Sequence, residues 1–272
     1  HIERVDIIYS IDNWQNTGRF TADYVPATQS FVGAFPAQKA GTIVRYYIEA
    51  FDNFGGSLRE PLQAPEMSYL FLVGYHNAET EDDWRVVSDA TTGEWINAAP
   101  VGTWNTQLGS EGDVPYVQPA EDHTPGAGMT KCWVTGNASK GAGLGTADVD
   151  DGETYLTTKE YDVTTLSKPV LRYYRWYTNN AGATPGTDYW TVQISEDGGR
   201  NYEFLERTMD SDASWKPKVF VLDEIVTLTE KLVVKFTAAD NEPGSLVEAA
   251  VDDFEILDIN AALDVDDGAP LP

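Results

Sequence analysis

The sequence predicts an all-β chain built from two consecutive sandwiches. Short runs rich in β-branched and aromatic residues recur along it, and clusters of Gly, Pro, Asn and Asp separate them. No run keeps apolar residues at helical spacing for three turns, so helix should be nearly absent. The pattern divides into a small sandwich of immunoglobulin or fibronectin type over 1–75, a larger all-β unit over 76–260, and an acidic linker or tail over 261–272.

In the first unit Val5 to Tyr9 and Ile43 to Ala50 read as strands, Asp52 to Gly56 as a turn and Ser68 to Val73 as the closing strand. Tyr75 to Glu81 reads as the junction. Between Ala90 and Gly145 the chain is rich in Gly, Pro, Thr and Asn, so loops should dominate there. Strands then follow at Thr154 to Thr157, Val170 to Tyr177, Asp188 to Ser195, Tyr202 to Arg207, Lys218 to Leu222, Leu232 to Ala238 and Glu248 to Leu257. Asp197-Gly198 joins two of them, because its preference for positive φ suits a tight reversal.

The 272 residues include 44 acidic and 18 basic side chains, a net charge of −26. Such a field repels phosphate backbones and anionic lipid and concentrates cations. Nucleic acid is therefore not an expected partner, although a solubilising surface in a saline or extracellular setting explains the charge equally well. Cys132 is the only cysteine, so no intrachain disulfide forms, and its strand context reads as a buried thiol. No apolar run is long enough to span a bilayer, so no membrane insertion is expected. The chain opens at His1 rather than Met and reads as a piece of a processed, extracellular product whose export signal lay upstream.

Two acidic clusters stand out, Asp148 with Asp150 and Asp151, and Asp252 with Asp253. Carboxylates this close need open water or a cation, and Ca²⁺ takes six to eight oxygen ligands from separate segments. Alternation along the last strand puts Ala250, Asp252, Phe254 and Ile256 on one face, so Asp252 is expected to point inward among apolar neighbours. The alternative is that all these acids are solvated turn residues.

Glu79 to Trp84, Asp148 to Gly152 followed by Thr154 to Thr158, and Val247 to Phe254 resemble the β-jelly-roll modules of secreted bacterial hydrolases, which are similar to MAM and carbohydrate-binding jelly rolls. The resemblance covers roughly 78–258. It implies an immunoglobulin-like β-sandwich followed by a β-jelly roll, with a structural Ca²⁺ whose ligands by position are Glu79, Asp148, Asp150 and Asp252, with Asp151 and Asp253 as alternates. Asp151 stands where the related pattern has glycine, which leaves the backbone path of that loop open. Tyr9 to Trp14 is similar to the opening strand of some starch-binding sandwiches, and Ser195, Asp197, Gly199 and Tyr202 resemble the Asp-box hairpin, a folding device without activity of its own.

No catalytic residue is assigned. His76-Asn77-Ala78-Glu79 has the spacing of a zinc motif but lacks a second histidine, and Gly-x-Ser-x-Gly and a phosphate loop are absent from the sequence. Among 44 acids a glycosidase pair could always be picked out, so that reading does not discriminate. Aromatic residues point instead to binding. Tyr173, Arg175 and Tyr177 share one face of their strand, with Tyr174 and Trp176 on the other and Trp190 on a neighbouring strand. The Arg175 face is expected to be exposed and to offer Tyr173 and Tyr177 for stacking on sugars, with Trp176 and Trp190 as further ligand-binding candidates, unless these rings simply fill the core. The expected role is accessory binding to carbohydrate or a cell-surface polymer on behalf of a catalytic domain elsewhere. The alternative is a protein partner in a surface assembly, and a free-standing hydrolase is the third reading.

Overall fold

The computed structural model describes residues 1–39, 42–77, 83–124, 130–241 and 244–258. Glu79 and the expected tail over 261–272 lie outside them. The described residues are all-β apart from one 3₁₀ turn, Leu222–Glu224. Two compact units emerge, one built on His1–Gly74 and the other on Tyr75–Thr164 with Pro169–Ile256; the short segment Thr165–Lys168 groups with the first.

The first unit contains β1 (Ile2–Ser10), β2 (Gly18–Val25), β3 (Ser30–Val32), β4 (Ile43–Asp52), β5 (Ser57–Glu60) and β6 (Tyr69–Leu72). They pair antiparallel in the order β3-β2-β1-β4-β5, and β6 pairs the opening half of β4. The register sets Tyr9 opposite Tyr46 and Val44 opposite Phe71, so these rings share one face, with Phe35 packed 5.2 Å from Tyr46 and 5.0 Å from Phe71. On the other face Asp6 and Glu49 are opposite each other and buried, and the guanidinium of Arg19 lies 3.7 Å from Asp6 and 3.0 Å from Glu49.

The second unit contains β7 (Tyr75–Asn77), β8 (Arg85–Ser88), β9 (Trp95–Ala98), β10 (Thr103–Trp104), β11 (Tyr116–Gln118), β12 (Cys132–Thr135), β13 (Gly152–Thr157), β14 (Pro169–Thr178), β15 (Trp190–Ser195), β16 (Glu203–Thr208), β17 (Asp212–Val221), β18 (Val233–Asp240) and β19 (Glu248–Asp258). One sheet runs β17-β14-β19-β12-β9, with β7 also on β19, and a second runs β16-β15-β18-β13-β8. The strands alternate apolar and polar residues because each sheet buries one face. Leu156, Val192, Ile194 and Phe236 of the second sheet are fully buried, and Phe236 meets Tyr173 of the first at 5.1 Å and Phe254 at 6.3 Å. Between the sheets Trp84 lies parallel to Trp133, 5.8 Å away. This is a two-sheet sandwich core.

The outer face of the first of these sheets is itself covered. Cys132, Val134, Trp176 and Ala250 form a buried cluster there beneath Tyr116 and Trp215. The indole N–H of Trp176 donates to the Val117 carbonyl at 2.6 Å, and that of Trp215 donates to the Glu121 carbonyl at 3.2 Å. The β10–β11 segment thus lies across this face.

β19 changes phase. Val134 pairs with Ala250 and Trp133 with Val251, so Ala250 faces the cover and Val251 faces the core. Phe254, four residues after Ala250, nevertheless packs in the core, 5.1 Å from Trp84. The break falls at Asp253, whose φ of +47° is left-handed and acts as a bulge that shifts the alternation by one. Asp252 consequently faces outward, toward the cover, and not inward with Phe254 and Ile256 as simple alternation predicts.

The two units share one turn. Ser10, Asp12 and Asn16 make the same bonds as Ser195, Asp197 and Asn201: the serine hydroxyl donates to the aspartate at 2.8 Å in both, and the asparagine amide donates to the other carboxylate oxygen at 2.7 and 2.6 Å. The donors, Asn16 and Asn201 foremost, hold both aspartates below the ordinary carboxylate range. The residue two beyond each aspartate has positive φ, Trp14 at +66° and Gly199 at +84°.

Candidate functional site: an open groove on the second sheet

The expected sugar platform on β14 does not form. Tyr173, Tyr177 and Trp190 have no exposed surface, Arg175 is 1% exposed and Trp176 8%. Arg175 faces the interior, where its guanidinium donates to Glu206 at 2.6 Å and also pairs with Asp212. Glu206 is turned inward by a register shift between Val192 and Gln193 in the β15–β16 pair. Its carboxylate also accepts from the Tyr173 hydroxyl at 2.9 Å and the Trp190 indole at 3.0 Å, and the Lys218 ammonium lies 2.8 Å away. A charge buried this deeply persists because it is paired and hydrogen-bonded. Trp176 belongs to the covered face.

The acidic clusters are not brought together either. Val149 bridges Val247, and Asp252 lies five residues further along β19, so about 16 Å of extended strand separates the two groups. Among the described residues no group of three His, Cys, Asp or Glu side chains gathers around one point, and Glu79 lies outside these residues. Asp150 and Asp151 are exposed, and Asp151 adopts φ +51°, supplying the left-handed turn that glycine gives in the related pattern. Asp148 is buried, and burial, reinforced by the Asp150 charge, pushes its carboxyl up to about 6. Glu248 is raised further by complete burial and by Asp148, although Gln118 donates to it at 2.9 Å.

At Asp252 and Asp253 the bulge turns two consecutive carboxylates toward one loop. Asp252 accepts from the His123 backbone N–H at 2.7 Å, and Asp253 accepts from the Thr124 hydroxyl at 2.6 Å and lies 2.6 Å from the His123 ring nitrogen. That ring stacks on Tyr174 with centroids 3.5 Å apart. Burial pushes Asp252 up to about 7; N–H donation from His123 and Asp253 opposes this, and the Asp253 and Asp122 charges add to it.

The outer face of the second sheet, by contrast, is open. Register alone assembles it: Tyr155 is opposite Thr237 and Val87, Thr157 is opposite Lys235 and Arg85, Lys235 is opposite Gln193, and Thr191 is opposite Arg207. Of these, Tyr155, Thr191, Gln193, Arg207, Lys235 and Thr237 line a groove of about 630 Å³ that also includes Glu153, Asp188, Tyr189 and Phe204. A second hollow of about 500 Å³ shares Tyr155 and Lys235 and adds Arg85, Val87 and Tyr202. Phe204 is 59% exposed. The Arg207 guanidinium lies over the Tyr189 ring at 3.6 Å, and the Lys235 ammonium lies 4.1 Å from the centre of Tyr202 and 5.6 Å from that of Tyr155.

The two carboxylates that line the larger groove are engaged, while Glu160 lines the second hollow. Glu153 accepts from the Tyr155 hydroxyl, which this bond and then burial push up to about 12. Asp188 accepts from the Ser245 hydroxyl at 2.6 Å and the Asn241 N–H at 2.9 Å. It sits beside Asp240, which burial, followed by the Asp188 charge, pushes up to about 7. The floor therefore offers rings, hydroxyls, an amide and cations, a set suited to polyhydroxylated ligands. A sequence signal for it exists: the outward residues of β13, β15 and β18 are Glu153, Tyr155, Thr157, Thr191, Gln193, Lys235, Thr237 and Ala239, with a single acid in an acid-rich chain.

No protein-family model matches the chain, and no curated protein does. Among solved structures, a carbohydrate-binding module in complex with β-1,4-galactotriose aligns over 67% of this chain and 99% of its own at 11% identity, with a TM-score of 0.39. A cleaved adhesin domain of Lys-gingipain from Porphyromonas gingivalis aligns over 68% and 97% at 15% identity, with a TM-score of 0.39. A structure of carbohydrate-binding modules from the β-sandwich superfamily aligns over 94% and 85% at 11% identity, with a TM-score of 0.38. At these scores the functional reading rests on the groove.

Proposed function

We propose that the second unit is a non-catalytic, extracellular glycan-binding module that positions a catalytic partner on carbohydrate, and that it binds through the outer face of β16-β15-β18-β13-β8. The open groove carries this reading: Tyr155, Tyr189, Tyr202 and Phe204 supply rings for sugar C–H faces, while Thr191, Gln193 and Thr237 supply hydrogen-bonding groups. The engagement of Glu153 and Asp188 by neighbouring groups favours binding over acid–base turnover.

Affinity electrophoresis across a panel of soluble polysaccharides tests the proposal. Retardation by at least one polymer is expected, with about a tenfold loss, equivalent to about 1.4 kcal/mol, on Tyr155→Ala or Tyr189→Ala. Failure across the whole panel combined with self-association in sedimentation would favour the surface-assembly role instead.

For calcium, the proposal narrows to Asp252 and Asp253, with the Asp122 charge nearby. Two adjacent carboxylates turned toward one loop support a hard cation there, with backbone or water oxygens needed to complete its shell. A melting transition that EDTA leaves unchanged and calcium does not raise would remove it.

A further inference from the structure

Lys235 stands apart from the other cations of the chain that have no ion pair among the described residues, because it alone of them is half-buried. Arg4, Arg19, Arg59, Lys140, Arg172, Arg175 and Lys218 each have a carboxylate partner. Arg85, Lys235 and Arg207 have no ion pair among the described residues, nor do Lys39, Arg200, Lys216 and Lys231, which are exposed, in a chain with 44 acids and 18 bases. Lys235 is the most informative of the three because it is half-buried on the central strand. Desolvation lowers its pKa from the ordinary lysine value, with only the Glu153 charge opposing, so two tyrosine faces and no contacting carboxylate hold this ammonium. With acids so abundant, an unpaired, partly desolvated cation on the floor of a groove points to an anion supplied from outside.

The three cations lie in a row. Arg85 and Lys235 both pair with Thr157 from opposite sides, which puts them two strands, about 10 Å, apart. Arg207 is two strands to the other side and offset by two residues, about 12 Å from Lys235. Such wide spacing suits charges carried on successive or alternate sugars. It does not suit duplex nucleic acid, where one negative charge falls about every 1.7 Å of helix axis.

We propose that the groove takes an anionic glycan, with Lys235 as the central counter-charge and Arg85 and Arg207 as the flanking ones. This rests on the groove being a glycan site and names the ligand class: a polymer bearing uronate carboxylates or sulfate esters along its length, the tyrosines contacting the sugar faces between the charges. The net charge of −26 makes the test stringent, because the surface as a whole repels polyanions and only a local cationic track holds one.

The experiment compares the full chain with polygalacturonate, its methyl-esterified form, a sulfated polysaccharide and single-stranded DNA by calorimetric titration at low and high salt, and melting curves verify that each variant is folded. An acidic polymer is expected to bind at least about tenfold more tightly than the neutral ester, with the preference falling by a similar factor at high salt. Lys235→Gln is expected to remove that preference while leaving residual binding of the ester, and Tyr155→Ala to weaken both. Preference for polygalacturonate identifies the carboxylate source and preference for the sulfated polymer the sulfate source; either supports the inference. Equal binding of ester and acid with a silent Lys235→Gln would overturn it and leave the glycan groove standing. Binding of none of the polysaccharides, or a preference for DNA, would overturn both. Polyanion binding that survives Lys235→Gln, Arg207→Gln and Arg85→Gln together would overturn the assignment to this face.

Discussion

The two outer faces of the second unit carry comparable aromatic content and meet opposite fates. Tyr174, Trp176 and Trp215 lie under or beside the β10–β11 segment, and Trp176 is 8% exposed. Tyr155, Tyr189 and Tyr202 have no such cover and line open hollows. The residue types on a strand therefore do not decide whether a ring is a platform or a core element. A segment distant in sequence decides it by crossing one face and leaving the other free.

Breaking the buried Arg175 pair should have the largest effect. Arg175→Ala strips Glu206 of its main counter-charge inside the sandwich and is expected to cost about 3–5 kcal/mol in chemical denaturation. On the covered face, Trp176→Ala should cost about 3–5 kcal/mol as a cavity, with glycan affinity per folded molecule unchanged. The open face should invert that pattern: Tyr155→Ala should change stability by about 1 kcal/mol or less while binding falls about tenfold. If Trp176→Ala abolished binding and Tyr155→Ala did not, the assignment of the two faces would be reversed.

The buried carboxyls add a pH signature. Asp148, Asp240 and Asp252 are raised to about 6, 7 and 7, so the folded state holds protons that the unfolded chain releases from about pH 4 upward. Their contribution is fully present below the unfolded value and is lost as pH rises through 6 to 7, so the melting temperature in chelator should fall over that interval. A melting temperature that rises there would contradict these environments. The smallest effect is expected at the bulge. Asp253→Gly suits the left-handed backbone but loses the Thr124 bond, a net change within about 1 kcal/mol, whereas Asp253→Val should cost more because a β-branched residue resists that φ.

Most strand positions after Gly152 were legible because each sheet buries one face and period-two alternation records it. β13 to β16, β18 and β19 fall close to where that alternation puts them, while β17 begins six residues before the expected Lys218, at Asp212. The errors cluster where backbone phase shifts. Arg175 reads as exposed because no sequence pattern reveals that a register shift in β16 turns Glu206 inward to meet it. Asp252 reads as inward because the count along β19 runs unbroken through Asp253, an aspartate that takes the left-handed conformation glycine usually fills. The acidic clusters read as one site because sequence shows that both lie near β19 but not that they meet its opposite halves. The groove was missed because its rings are single tyrosines on separate strands, and only register brings them into line.

The shared turn of the two units has a wider consequence. Its serine, aspartate and asparagine fix a backbone shape that tolerates different occupants at one left-handed slot, an indole at Trp14 and nothing beyond the backbone at Gly199. At Trp14 the ring is held 5.6 Å from Tyr47. The turn thus behaves as a mounting bracket that displays an aromatic side chain at a set angle in one unit and stays bare in the other, where the Tyr202 hydroxyl lies 2.8 Å from the place a β-carbon on Gly199 would take.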